Sequence, residues 1–166
     1  MSKNELEKIF DNTIQLSYKE KVKEIEDYFT SIADGKDVVV GNGSELIYPN
    51  MWKYKHSFAD GVYIRQMDMK QGQLGFSAIH KHSYGFFLLS GVLASSKEEG
   101  VEEFIAPCYI ISPQGAKRIV YAIEDCTIVT VHANPTNTKD LKKIEEINVV
   151  FSWEEYKEYK KNGNNN

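Results

Sequence analysis

Eight short runs of β-type residues, separated by glycine, proline and polar turns, are the feature that most constrains the fold. They cover residues 38–40, 62–69, 75–82, 86–94, 101–105, 109–112, 118–122 and 127–132. Many short strands at this spacing predict a β-sandwich or a closed barrel. The segment "MWKYKHSF" at 51–58 is interpreted as a loop that covers the barrel, with its basic residues in solvent.

Helical patterns flank these runs. Ser17 with Glu20, like Ser2 with Glu5, forms an S-x-x-E capping box at a predicted helix start. Apolar residues at helical spacing follow each box, namely Leu6, Ile9, Phe10 and Ile14, then Val22, Ile25, Tyr28, Phe29 and Ile32. A further helix is predicted around residues 141–147 and a polar one after Ser152. We expect a helical extension over 1–36, a barrel over 37–135, and C-terminal helices with a disordered tail over 136–166.

Composition limits the classes of partner. The chain has 166 residues and a net charge of -4, which gives no overall footprint for a nucleic acid polymer. It has no apolar segment near the roughly 20 residues that a membrane span needs and no signal-peptide pattern, so a cytoplasmic location is expected. Cys108 and Cys126 lack CxxC or CxxH neighbours and are predicted to be reduced, packed thiols.

The candidate site begins with "HKH" at 80–82. Side chains alternate along an extended chain, so His80 and His82 are expected to face the same side. By the same rule, "GAKRIVY" places Arg118 on the inward side of its strand and Lys117 outside. Tyr84 and Tyr121 would lie nearby as hydroxyl and stacking groups.

These motifs resemble those of the cupin superfamily over roughly residues 60–133. His80 and His82 match its HxH motif, Gly91 its hairpin glycine, and "SPQG" at 112–115 its PxG turn. More narrowly, "YIRQMDMKQGQLGFSAIHKH", "FLLSG", "SPQGAKRIVYAIED" and "TVHANPTNTKDLKKIEE" resemble cupin-like proteins of bacteriophages. The resemblance implies a mainly β fold, a jelly-roll barrel with helical extensions at both ends.

Two positions depart from the cupin pattern. The slot of the metal-binding glutamate falls among Tyr84, Phe86 and Phe87, and Arg118 occupies the second-motif histidine position. A guanidinium stays protonated and offers no lone pair to a metal. Half of the ordinary cupin metal site is therefore missing.

Three interpretations remain open. In the first, a non-enzymatic pocket binds a small anion, for example a host nucleotide signal sequestered by a phage protein in the host cytoplasm; its contacts would be His80, His82, Tyr84, Arg118, Tyr121 and His132. In the second, His80, His82 and His132 hold zinc or iron in a cupin enzyme. In the third, these residues serve the fold alone, as in a virion assembly protein. A homo-oligomer is expected because strand edges need cover.

Overall fold

The computed structural model describes residues 17–33 and 52–163, together with Asn4. The predicted first helix and the run 38–40 lie outside these residues. Eleven strands are present within the described ranges: β1 (Lys53–Ala59), β2 (Val62–Met69), β3 (Leu74–Phe76), β4 (Ile79–His80), β5 (Tyr84–Ser90), β6 (Val92–Lys97), β7 (Gly100–Ile105), β8 (Cys108–Ser112), β9 (Ile119–Ala122), β10 (Cys126–Ala133) and β11 (Val149–Val150). The helices are α1 (Tyr18–Ser31), α2 (Leu141–Asn148) and α3 (Trp153–Gly163).

The strand order is that of a jelly roll. One sheet runs β1-β2-β10-β5-β8 and the other β3-β9-β6-β7, with β4 and β11 forming a separate short pair. The pairs are nested and antiparallel: β2 with β10, β3 with β9, β5 with β8, and β6 with β7. Such nesting folds one long hairpin into two facing sheets. The predicted mainly β jelly roll with N-terminal and C-terminal helices is confirmed.

Three strand predictions need correction. The segment 51–58 is not a covering loop, because Lys53–Ala59 forms an edge strand that alternates exposed and half-buried residues. The run 75–82 divides into β3 and β4 and ends at His80. The run 86–94 crosses from one sheet to the other at Gly91, whose φ of +84° suits glycine. A Cβ there would lie 2.2 Å from the Asp125 carbonyl oxygen.

Helix α1 covers the outer face of the four-stranded sheet. Its start follows the prediction, since the Glu20 carboxylate accepts a hydrogen bond of 2.9 Å from the Ser17 amide. Val22 and Ile25 are buried against the sheet residues Phe76, Ala94, Ile119 and Tyr121. Tyr28 and Ile32, predicted on the same stripe, stay exposed. The helix therefore buries a narrow face and extends the core beyond the barrel.

The C-terminal segment packs across one end of the barrel. Helix α2 follows the predicted pattern, and β11 pairs with β4, placing Val149 opposite His80. Ser152 caps α3 as expected, accepting a 3.1 Å hydrogen bond from the Glu155 amide. None of the described helices is long and apolar enough to cross a membrane.

Candidate functional site

A cavity lies between the two sheets, at the end of the barrel that the C-terminal segment covers. It offers about 90 Å³ to the centres of water molecules, where one water needs about 10–15 Å³. Most of its wall is apolar or aromatic. The residues used below come from the barrel strands, namely Arg65, His80, Tyr84, Ser95 and His132, from positions directly before a strand, namely Trp52 and Arg118, and from the C-terminal segment, namely Ile144, Glu145, Val149 and Phe151.

Stacked rings form one side of this cavity. The ring centroids of His80 and Tyr84 are 4.0 Å apart, and those of Tyr84 and His132 are 4.8 Å apart. The two imidazoles are nearly parallel, at 7° and 5.5 Å. The stack continues from His132 to Tyr63 at 5.9 Å. Strand pairing accounts for three of these rings, because His132 is opposite Tyr63 and Tyr84 follows the last β5–β10 pair. His80 joins the stack from β4, which pairs with β11.

Both imidazoles of the stack are held neutral. Burial lowers the pKa of His80 to about 3, and the nearby positive charges of Arg65 and Arg118 add to the effect. Burial also holds the pKa of His132 well below its usual range, again with a contribution from Arg65. A neutral imidazole provides one donor and one acceptor nitrogen. At neutral pH these two imidazoles therefore add no positive charge to the pocket beside Arg65 and Arg118.

Arg118 is fixed in place through its backbone and through one of its guanidinium nitrogens. The Ser77 hydroxyl accepts a 2.8 Å hydrogen bond from the Arg118 amide, and the Ser96 carbonyl accepts a 3.3 Å bond from Nη1. The Nε of Arg118 is shielded from solvent and has no hydrogen-bond partner within the described part of the chain. Such a buried donor costs about 1–3 kcal/mol unless an acceptor reaches it.

Two further buried polar atoms lack a hydrogen-bond partner among the described residues. The indole Nε1 of Trp52 and the hydroxyl of Ser95 line the same cavity, are buried, and lack a partner among the described residues. The carboxylate of Glu145 is the one acidic side chain among the described residues of the lining. The pocket thus combines two guanidinium groups with one acidic side chain, and the Arg118 Nε, the Trp52 Nε1 and the Ser95 hydroxyl lack a partner among the described residues.

Two predicted site residues do not reach the cavity. His82 is exposed and its ring contacts Tyr159 of α3 at 6.0 Å, edge to face. The prediction that it faces the same side as His80 is wrong because the strand ends at His80 and the chain bends at residues 81 and 82. Tyr121 is buried under α1, on the outer face of its sheet.

Lys117 also lies outside the cavity. It points out of the barrel, as alternation predicts, but it is buried there and pairs with the Glu26 carboxylate of α1. The alternation itself is right, since Lys117 does lie on the side opposite Arg118. Helix α1 covers that side of the sheet, so a side chain that points out of the barrel there is still buried in the protein.

The side chains present do not suit the three-histidine metal centre. With His82 outside the cavity, two of the three predicted ligands, His80 and His132, remain. His56 also lines the cavity, but the described residues contain no cluster of three His, Cys, Asp or Glu side chains that could hold a metal. Arg65 and Arg118 would also repel a dication. Among the residues described, the donor set fits an anion better than a cation.

Sequence reasoning missed Arg65, Trp52 and the C-terminal wall. Arg65 had a readable signal, because it stands between Tyr63 and Met67 on the inward parity of β2. Trp52 was assigned to a loop. The contribution of residues 141–151 gave no signal, since the pairing of β11 with β4 joins segments far apart in the chain.

Comparison with known proteins returns similarities of fold. A cupin superfamily protein from Desulfitobacterium hafniense DCB-2 gives a TM-score of 0.45 at 9% identity, covering 51% of this chain and 78% of that one. A cupin-2 domain protein from Shewanella frigidimarina gives 0.44 at 12%, covering 63% and 97%. KdgF from Halomonas sp. gives 0.47 at 11%, covering 56% and 86%.

No protein-family model matches the chain, and a search among curated proteins finds no match. The structural similarities assign no ligand and no reaction to this chain. The kinship with bacteriophage proteins stays a prediction.

Proposed function

We propose that the barrel binds a small organic anion without transforming it, and that Arg118 is its principal charged contact. The observation that carries this proposal is the buried Nε of Arg118, a donor without an acceptor in the described structure. A carboxylate or phosphate oxygen would satisfy it and neutralise the guanidinium. The apolar walls would strengthen that attraction by excluding water.

The cavity limits the size of the anion. Its volume holds about six to nine waters, which corresponds to a molecule of roughly ten non-hydrogen atoms. A small carboxylate or phosphate with an apolar or planar body fits this space and the stacked rings of His80, Tyr84 and His132. Neutral imidazoles would donate hydrogen bonds to it without adding charge.

The narrower hypothesis, a phage protein that sequesters a host nucleotide signal in the host cytoplasm, stays a prediction. A nucleoside monophosphate has more than about twenty non-hydrogen atoms, so part of it would have to extend out of the cavity, or the cavity would have to widen. The zinc or iron enzyme and the virion assembly protein also stay predictions. No observation on the described residues favours either of them.

Thermal unfolding with a panel of anions tests the proposal. Small carboxylates, phosphates and sulfates are compared with their neutral methyl esters or amides, and nucleotides form a separate arm. An anion at about 100 times its Kd should stabilise the wild type by about 2.7 kcal/mol, a rise in Tm of roughly 5–10 °C.

Two variants locate the effect. Arg118→Gln should abolish the shift, whereas Lys70→Gln, which removes an exposed cation paired with Asp125, should leave it unchanged. The proposal fails if no anion of the panel stabilises the wild type, or if Arg118→Gln responds as the wild type does.

A further inference from the structure

An apolar patch lies at the edge of the five-stranded sheet, away from the cavity. Four large side chains, Leu89, Ile105, Tyr109 and Ile111, are 54–69% exposed. Leu89, Tyr109 and Ile111 share the outer face of β5 and β8, where Tyr109 is paired with Phe87 and the two rings lie 5.8 Å apart. Ile105 ends β7 of the other sheet, next to Ala106, whose amide bonds to the Gly91 carbonyl between β5 and β6. Together they expose roughly 500 Å² of mostly apolar surface, the size of the largest patch on a typical monomer, which is often functional.

The edge strand β8 within this patch lacks the usual protection. Exposed sheet edges normally carry charges that prevent pairing with another chain. Two other edges follow this rule, since β1 exposes Lys53 and Lys55 and β7 exposes Glu102 and Glu103. Strand β3 is three residues long and its side chains are shielded. In the part of the chain described, β8 is the edge of the five-stranded sheet without a charged residue.

We propose that β8 and the outer face of β5 form the contact surface with a second copy of this chain. Two β8 strands can pair antiparallel about a twofold axis, because such pairing brings an uncharged edge against an identical one. The sheet would then continue from one copy into the other over ten strands.

The area of the patch agrees with this partner. A stable interface buries about 800 Å² on each partner. Pairing of the β8 edges, which no described strand covers, would bury Tyr109 and Ile111 with the β8 backbone. To reach the full area, the second copy must also pack over Leu89, Phe87 and Ile105 beside that edge. Tyr109 would lie near the centre, where an aromatic side chain contributes most to binding. The absence of charge favours an identical apolar surface over a charged partner protein.

Sedimentation velocity over a range of protein concentrations tests this interface. The wild type should be a dimer at micromolar concentration and dissociate on dilution. The double variant Tyr109→Lys/Ile111→Lys places two cations in the contact and should raise the dimer Kd at least about 100-fold. Tyr28→Lys, at an aromatic on α1 that is 55% exposed against 69% for Tyr109, is the control and should remain dimeric.

Hydrogen exchange provides a second measurement on the unmodified protein. Alternate backbone amides of β8 point away from β5, so they should be protected at high concentration and exchange quickly on dilution. A wild type that stays monomeric up to about 100 µM overturns the proposal. So does a dimer that the double variant leaves intact, or β8 amides whose exchange does not depend on concentration.

Discussion

Acidification should destabilise the protein through His80. The folded state keeps this imidazole neutral, with a pKa of about 3, whereas the unfolded chain takes up a proton near the ordinary pKa of 6.5. Stability is therefore unaffected above pH 6.5 and falls as the pH drops from 6.5 toward 3. The loss is about 1.4 kcal/mol per pH unit, so about 2 kcal/mol between pH 7 and pH 5. His132 adds to it in the same direction.

Urea denaturation at pH 7 and pH 5 measures this loss. His80→Gln removes the titrating ring, so its free energy of unfolding should fall about 2 kcal/mol less than that of the wild type over this interval. His82→Gln is the matched control, because His82 is an exposed histidine two residues away and its substitution should leave the pH dependence of the wild type. Equal pH dependence in the wild type and His80→Gln, or a change in His82→Gln, would refute the reasoning.

Three further predictions concern stability and reactivity. Glu26→Gln should cost about 2–3 kcal/mol in urea melts by leaving the buried Lys117 unpaired, while the double variant Glu26→Leu/Lys117→Met should lie near the wild type; equal losses would count against a buried pair. Gly75→Ala places a Cβ 2.3 Å from the Trp52 ring and should lower stability by about 2 kcal/mol or more, so an unchanged Tm would be a failure. Burial raises the pKa of the Cys126 thiol to about 11, so a thiol reagent at pH 8 should modify it only after unfolding; rapid labelling of both cysteines in the folded protein would contradict this.

Much of the fold could be predicted from the hydrophobic periodicity of the sequence and from its turn and helix-capping residues. The β-type runs between glycine and proline turns identify most strands, and the S-x-x-E boxes locate the starts of α1 and α3. What the pattern cannot give is pairing over long distances. The β4–β11 pair and the docking of α1 depend on contacts between segments separated by dozens of residues, and short-range spacing carries no information about these.

In the site too, local alternation predicted some side-chain positions correctly and failed for others. Alternation placed Arg118 inward and Lys117 opposite it, as the structure has them. The same rule failed for His82, because it holds only while a strand continues, and β4 is two residues long. The same alternation predicts that Arg65 faces inward on β2, between the inward residues Tyr63 and Met67.

One calorimetric experiment tests the central claim, that charge recognition by Arg118 governs binding in the barrel. The anion that stabilises the protein most in the thermal panel and its uncharged methyl ester or amide are titrated into the wild type and into Arg118→Gln. The account predicts that the wild type binds the anion at least about 30-fold more tightly than Arg118→Gln does, a difference of about 2 kcal/mol. It also predicts that the neutral analogue binds both proteins weakly and equally. An anion and a neutral analogue that bind the wild type alike, or an anion whose Kd is the same for both proteins, would contradict it.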